Sequence, residues 1–460
     1  MKKEFKEITG SIVAPLGFLA SGVFCDIKKL GTGKGSNKGQ KRDLALIVSE
    51  VPATVAGMFT TNQVCAAPVK VCVDRVKKGV AQAVVVNSGN ANACTGKQGL
   101  ANAREMTAML AKQFHMPEQH VLVGSTGRIG MTMPMANVKR GIFEAVQILG
   151  NAPAQADEAC EAIMTSDTRP KQIAVEFKLD GKRVRIGGIC KGAGMIQPGM
   201  SATGKRPAAL SGGRLQGLHA TMLCFITTDA AVDANVLQAA LNEAVAQSFN
   251  RITVDGDMST NDTVLVMANG LAGNKSIEHS TSNIQHRIFQ KALNHICLEL
   301  AKMIVRDGEG VHRVVTVRVN GARTIQDADV AARAVANSAL VKTSWHGGDP
   351  NWGRIIDALG YSSAKIIEEK VDIGYSAANV PVFTQNTSAR HGRILWSLKR
   401  GQPTQATFAE LCAAVAPKEF HLHIHLNVGK ACAVIYAADL TEAYVDFNKG
   451  DVGNPKSLGG

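Results

Sequence analysis

Aromatic residues supply only 5% of this 460-residue chain, and they do not interleave with its basic residues. That argues against a base-stacking platform of the kind single-stranded nucleic acids need. Long apolar runs are also missing: none approaches the roughly 18 residues of a membrane-spanning helix. The stretch up to Cys25 mimics an export signal, but Glu4 and Glu7 sit in its basic region, and Pro15 and Gly17 break its apolar part. The ten cysteines show no CxxC and no paired spacing. They read as small core hydrophobes of a reducing compartment, so the expected location is cytoplasmic. Acidic residues number 38 against 51 basic ones, giving a net charge of +13 with one mild cluster from Lys28 to Arg42. Spread so evenly, this charge reads as a solvated basic surface that modestly favours anionic small substrates.

Several motifs fail on inspection. Gly31-Thr32-Gly33-Lys34-Gly35 lacks the GxxxxGK[ST] pattern, and the chain runs from Arg42-Asp43 directly into a strand at Leu44. Asp255 to Asn261 opens like a calcium loop, but Thr260 stands at the turn glycine and Val266 at the bidentate glutamate. His421, His423 and His425 share one strand face without a neighbouring carboxylate or cysteine cluster, so they read as a solvent-facing strand. No GxSxG elbow and no Cys–His signature is present. We expect no cofactor, no metal, no nucleic-acid partner and no membrane association.

What remains is an ordinary globular composition, 45% hydrophobic and 19% charged, long enough for two or three domains. Strand-like and helix-like segments alternate. Val80 to Val86 is a buried strand running into a polar loop at Asn87, and Gln98 to Phe114 has helical spacing. Ile173 to Leu179 and Arg183 to Ile189 flank Asp180-Gly181, a strong hairpin signal. Met222 to Ile226 reads as a buried strand, and Asp233 caps a helix with one apolar face from Val236 to Val245. A longer helix is striped from Ile284 to Ile304, while His312 to Val319 and His421 to Leu426 alternate like half-exposed strands. The fold class is α/β or α+β. Ser201 to His219 lacks any period and reads as a long exposed loop.

The polar motifs in apolar or glycine-rich settings hold the chemistry. They are Asn87 to Gly96, Gly124 to Gly130, Thr165 to Thr168, Lys191 to Ile196, Ala220 to Asp229 and Arg306 to Gly310. Together they offer a hydroxyl nucleophile, a lysine, an acid and backbone donors, an inventory that suits acyl transfer. If the Ala220–Thr221 bond is cut, the α-amine of Thr221 becomes the local base for its own hydroxyl. A cationic neighbour such as Lys191 disfavours protonation of that amine. Donors at Thr126-Gly127 can hold the oxyanion, an effect worth about 3–4 kcal/mol of barrier.

These residues carry a family likeness. From about Gly10 to Asn448 the chain resembles the ornithine acetyltransferase (glutamate N-acetyltransferase) family of arginine biosynthesis. The matching motifs are Asn87 to Gly96, Lys191 to Ile196, Ala220 to Asp229, Ser248-Phe249-Asn250 with Asp255 to Asp262, and Gly348 to Arg354. The resemblance implies autocatalytic cleavage between Ala220 and Thr221, with the two chains staying together as a heterotetramer of two of each. It implies an αββα sandwich of the N-terminal-nucleophile-like kind. We expect that domain over residues 1–290, holding the cleavage site and an inserted loop at 201–219, and a smaller α/β domain over 291–460. Thr221 would be nucleophile and acetyl carrier, Thr126 and Gly127 the oxyanion hole, and Thr165, Lys191, Thr221, Glu309 and Asn448 the substrate-binding set. The implied substrates are N-acetylornithine and glutamate, with acetyl-CoA an open option as second donor.

Two departures from the family pattern stand out. Residues 201–219 intervene between the Met195 to Met200 motif and the cleavage pair, and Gly453 stands where the family places a terminal hydroxyl residue. Ala202-Thr203 therefore competes as a cleavage pair, but Gly204-Lys205-Arg206-Pro207 after it cannot pair in a central sheet. We place the cut at Ala220–Thr221. An amidase or aminopeptidase with the same nucleophile, and an uncut non-catalytic homologue, are the alternatives.

Overall fold

The computed structural model describes residues 5–28, 41–205, 222–278, 284–378 and 394–448. Ala220, Thr221, Gly453 and most of the inserted segment lie outside the described residues, as does most of the Lys28–Arg42 cluster. The chain divides into two compact units, one built from residues up to Asn250 with Asp257–Asp307, the other from Arg251–Gly256 with Gly308–Lys449.

In the first unit the chain begins with β1 (Lys6–Ile8), β2 (Phe18–Val23), β3 (Leu44–Thr60), α1 (Ala67–Val76) and β4 (Val80–Asn90). It continues through α2 (Gly96–Gln113), β5 (Val121–Arg128), α3 (Met135–Gln147), α4 (Pro153–Ile163), β6 (Lys171–Leu179) and β7 (Lys182–Lys191). Then come β8 (Met200–Ser201), β9 (Leu223–Thr228) and α5 (Ala234–Gln247); the short β10 (Ile252–Thr253) belongs to the second unit. β11 (Thr263–Ala268) and α6 (Ile284–Arg306) complete the first. The strand order is β1-β6-β7-β9-β11-β3-β4-β5, with β2 and β8 also paired to β3.

Local chemistry accounts for these elements. The β6–β7 hairpin closes on Asp180 and Gly181, both at positive φ (49° and 76°), the backbone a two-residue twisted turn demands. Asp233 caps α5 by accepting from the backbone N–H groups of Asn235 and Val236. β9 and β11 are six residues each and wholly buried, in keeping with their place mid-sheet. Helix α6 packs on β6 and β7, α5 on β3 and α6, and α1 on β3 and β5. Because α6 runs unbroken to Arg306, the first unit extends past position 290.

The second unit contains β12 (Val314–Ala322), α7 (Ile325–Asn337), α8 (Ala339–Gly347), α9 (Trp352–Gly360), β13 (Asp372–Ala377), β14 (Leu395–Lys399) and β15 (Gln402–Pro403). It ends with α10 (Phe408–Val415), β16 (Glu419–His425), β17 (Ala431–Ala438) and α11 (Glu442–Phe447). Its strand order is β10-β17-β12-β16-β13-β14-β15. Helices α7 and α10 lie on this sheet, and Trp345 of α8 and Ile355 of α9 join its core. The mixed α/β class expected from the sequence is what the structure has.

Three local expectations are corrected. β4 does not end at Val86 but continues through Asn87 to Asn90, paired with β5, because the asparagine side chains replace the apolar ones in buried positions. β16 is not half exposed: His421 and His423 are buried, with His423 2.8 Å from the Ser376 hydroxyl. Burial, reinforced by His421 and Arg318, pushes the His423 imidazole down to about 3, so it packs as a neutral polar residue and not as a solvated one. Finally, the segment from Ser201 is not loop throughout, since Ser201 pairs with Phe59 in β3 before residues 202–205 turn.

Candidate active site

Lys191 ends β7, directly opposite Leu223 at the start of β9. Its side chain is fully buried, and Nζ donates to Thr126 Oγ1 over 3.2 Å. An ammonium has no lone pair, so Thr126 accepts here and its own proton is available to a substrate oxygen. Thr126 is buried near the end of β5, and Gly127 follows at φ 129°. A side chain at Gly127 would place its Cβ 2.3 Å from the Gly89 carbonyl carbon, so only glycine lets β5 approach β4 there. The Thr126 hydroxyl thus adjoins the buried Lys191 side chain near the N-terminal end of β9, with Gly127 next along β5. That combination can stabilise a developing oxyanion.

The lysine is held by a charged network that the sequence did not reveal. Asp167 lies 4.0 Å from Lys191 Nζ, accepts from the Gly192 N–H at 2.7 Å, and pairs with Lys171 Nζ at 2.6 Å. Lys171 in turn reaches Asp307 at 2.5 Å, and Asp307 receives the Thr168 N–H at 3.0 Å. Burial opposes ionisation of Asp167, but Lys171, Lys191 and the Gly192 N–H outweigh it and hold the carboxyl well below the usual range. Burial likewise opposes charge on Lys171, and Asp167 and Asp307 override it, raising that ammonium above its ordinary value. Thr165, half-buried, donates its backbone N–H to Asp167 over 2.9 Å. Asp167 and Asp307 stood inside motifs already singled out; Lys171 carried no signal, because a lone lysine at a strand start looks solvent-facing.

The asparagine-rich motif is the scaffold of this corner. Asn87 accepts from Ser125 Oγ at 2.6 Å and donates to the Asn90 carbonyl at 2.8 Å. Asn261 donates to both the Ala91 and Ser125 carbonyls, at 2.7 and 2.9 Å, tying β4 to the strand residue before Thr126. Asp262 accepts from the Met222 N–H at 3.0 Å, and Met222 O accepts from Thr263, so the residue after Thr221 is clamped on both sides. The competing Thr203 sits in an exposed turn, its Oγ1 accepting from the Lys205 N–H.

In the second unit, Glu309 and Asn448 meet. Asn448 Nδ2 donates to Glu309 Oε2 over 3.1 Å, from the C-terminal cap of α11. Gly310 makes this possible: a Cβ there would fall 2.3 Å from the Tyr444 nitrogen, while the Gly310 carbonyl accepts from Thr441 Oγ1 at 2.7 Å. The Gly348 to Arg354 motif, by contrast, is a helix junction. Gly348 ends α8 in the left-handed conformation and Asn351 caps α9 by accepting from the Arg354 N–H.

The ArgJ family profile matches residues 25–450. The chain is 43% identical over 441 residues to the arginine biosynthesis bifunctional protein ArgJ of Symbiobacterium thermophilum, covering 96% of this chain and 98% of that one. It is 42% identical over 446 residues to the glutamate N-acetyltransferase of Methanocaldococcus jannaschii, again covering 96% and 98%. Among solved structures it is similar to ArgJ from Bacillus halodurans (40% identity, TM-score 0.40, covering 43% of this chain and 98% of that one). With this agreement along nearly its whole length, the chain belongs to the ArgJ family, as its motifs led us to expect.

Proposed function

We propose that the chain is a glutamate N-acetyltransferase of arginine biosynthesis that works through a covalent acetyl-Thr221. The observation that carries this reading is the juxtaposition of Lys191, Thr126 and Gly127 with the start of β9, two residues after Thr221. In this reading the Ala220–Thr221 bond is cleaved autocatalytically, and the freed amine takes the Thr221 hydroxyl proton as Oγ attacks the acetyl carbonyl of N-acetylornithine. The oxyanion rests on the Thr126 hydroxyl and the Gly127 N–H. Collapse breaks the C–N bond, and ornithine leaves with the proton. The amine of glutamate then attacks acetyl-Thr221, and N-acetylglutamate departs as the hydroxyl is restored. By the family resemblance, Thr165, Lys191, Glu309 and Asn448 each serve substrate polar groups, with Glu309 taking the ammonium.

Sheet topology supports continued association after cleavage. β9 and β11 of the second chain are flanked by β7 and β3 of the first, so separation would break ladders on both sides. We expect two copies of each chain in a cytoplasmic enzyme. Acetyl-CoA is to be assayed as a second donor, since one relative is named bifunctional and another glutamate N-acetyltransferase.

Mass spectrometry with N-terminal sequencing tests the core of this reading. The second chain should begin at Thr221, Thr221→Ala should give one uncut, inactive chain, and Thr203→Ala should still process and turn over. A second chain beginning at Thr203 would overturn the assignment. Ornithine release at the same rate without glutamate would make the enzyme a hydrolase.

A further inference from the structure

His346, in the last turn of α8, bonds through Nε2 to Glu442 Oε2 at 2.7 Å. In the neutral ring that contact places the proton on Nε2 and leaves a lone pair on Nδ1. This lone pair faces Asp439 Oδ2 at 3.6 Å, too long for a hydrogen bond, and neither buried atom has a hydrogen-bond partner. Asp439 is 4% exposed, and its other oxygen is engaged by the His312 N–H at 3.0 Å. The His312 ring stands edge-on to that of His346, centroids 5.6 Å apart, and one ligand atom from each of the three side chains lies within 4.8 Å of the others.

A lone pair facing a carboxylate oxygen leaves both unsatisfied until a cation, either a proton on Nδ1 or a metal ion, comes between them. At zinc-like bond lengths, two ligands of a tetrahedral ion lie about 3.4 Å apart, close to the Asp439–His346 separation. Glu442 then stands as the outer carboxylate that orients a metal-bound histidine, and the C-terminal end of α8 adds a favourable dipole. Imidazole donors with one carboxylate select a borderline divalent ion rather than calcium or magnesium.

We propose that His312, His346 and Asp439 form a divalent transition-metal site of the zinc class. The site lies outside the proposed acetyl-transfer chemistry and reaches it through the chain. His312 is three residues past Glu309, and Asp439 leads through Leu440-Thr441 into α11, whose cap is Asn448. A bound ion would tie the start of β12, the end of α8 and the start of α11 together, fixing the Glu309–Asn448 pair.

The test uses tag-free, chelator-stripped full-length protein, with zinc binding followed by equilibrium dialysis and cobalt binding by visible absorption. The expected result is one equivalent per chain, with cobalt bands typical of nitrogen and oxygen ligands. Changing an outer-shell partner typically costs ~10–100-fold in affinity, so Glu442→Gln should fall in that range and His312→Ala or His346→Ala at or beyond it. His312 is exposed, so its variant should keep the wild-type circular dichroism. Absence of stoichiometric binding, binding that survives both histidine variants, or thiolate-to-cobalt bands pointing to the exposed Cys94 or Cys432 would each overturn the proposal.

Discussion

At the scale of single residues, the site rests on buried polar groups bonded to one another, so removing one strands another. Thr126→Val keeps the shape of the side chain but deletes the proton offered to the oxyanion. We expect kcat to fall ~10²–10³-fold with native circular dichroism, and Thr126→Ser to restore most of it. Asp167→Asn leaves Lys171 and Lys191 buried with a weakened partner, and breaking such a pair costs about 3–5 kcal/mol. Urea unfolding should show that loss at neutral pH. Because the folded-state carboxyl is depressed, its contribution is present throughout pH 5–8 and is lost only as pH falls through the folded value. Asn261 acts by positioning. Asn261→Ala strands the Ala91 and Ser125 carbonyls, and kcat should fall while KM for N-acetylornithine stays within ~2-fold.

At the scale of elements, short-range signals succeeded wherever a turn or cap has one chemical solution. Asp180-Gly181 makes its hairpin and Asp233 starts its helix because no neighbouring element has to cooperate. Asp233→Ala should therefore cost about 1 kcal/mol in unfolding and leave turnover unchanged, a control for stability effects on activity. Periodicity failed where both faces of a strand are covered. Alternation of histidine with apolar residues in β16 looks half-solvated, yet His421 and His423 are buried, and for His423 a neutral imidazole with a hydroxyl partner tolerates the dry site. The same holds for β4, whose polar end is a strand because the Ser125 hydroxyl and the Asn90, Met131 and Thr132 carbonyls satisfy its asparagines.

At the scale of the whole molecule, the cysteines set an alkaline limit. Cys72, Cys160, Cys190, Cys224 and Cys297 are buried in the first unit, and burial pushes each thiol up, Cys72 to about 11 and Cys160 to about 12. A raised folded value means that stability is fully present below the unfolded thiol value near ~8.5 and is lost as pH climbs toward the folded values, by about 1.4 kcal/mol per pH unit for each thiol. All three tryptophans, at 345, 352 and 396, belong to the second unit. Between pH 8 and 10 the urea midpoint read by circular dichroism should therefore fall further than the one read by tryptophan emission, and substituting Cys190 and Cys297 by alanine should flatten the difference. By itself the sequence determined the α/β class, the hairpin, the Asp233 cap and the membership in a family, because these follow from patterns within a few residues or from ordered motifs along the chain. Only the tertiary structure decided that Lys191 meets Thr126, 65 residues away, and that Lys171 joins Asp167 to Asp307, 136 residues beyond it. It also decided that His312, His346 and Asp439 converge. Charges and imidazoles carry no period or turn preference that betrays a distant partner, so strand register and helix packing alone bring them together.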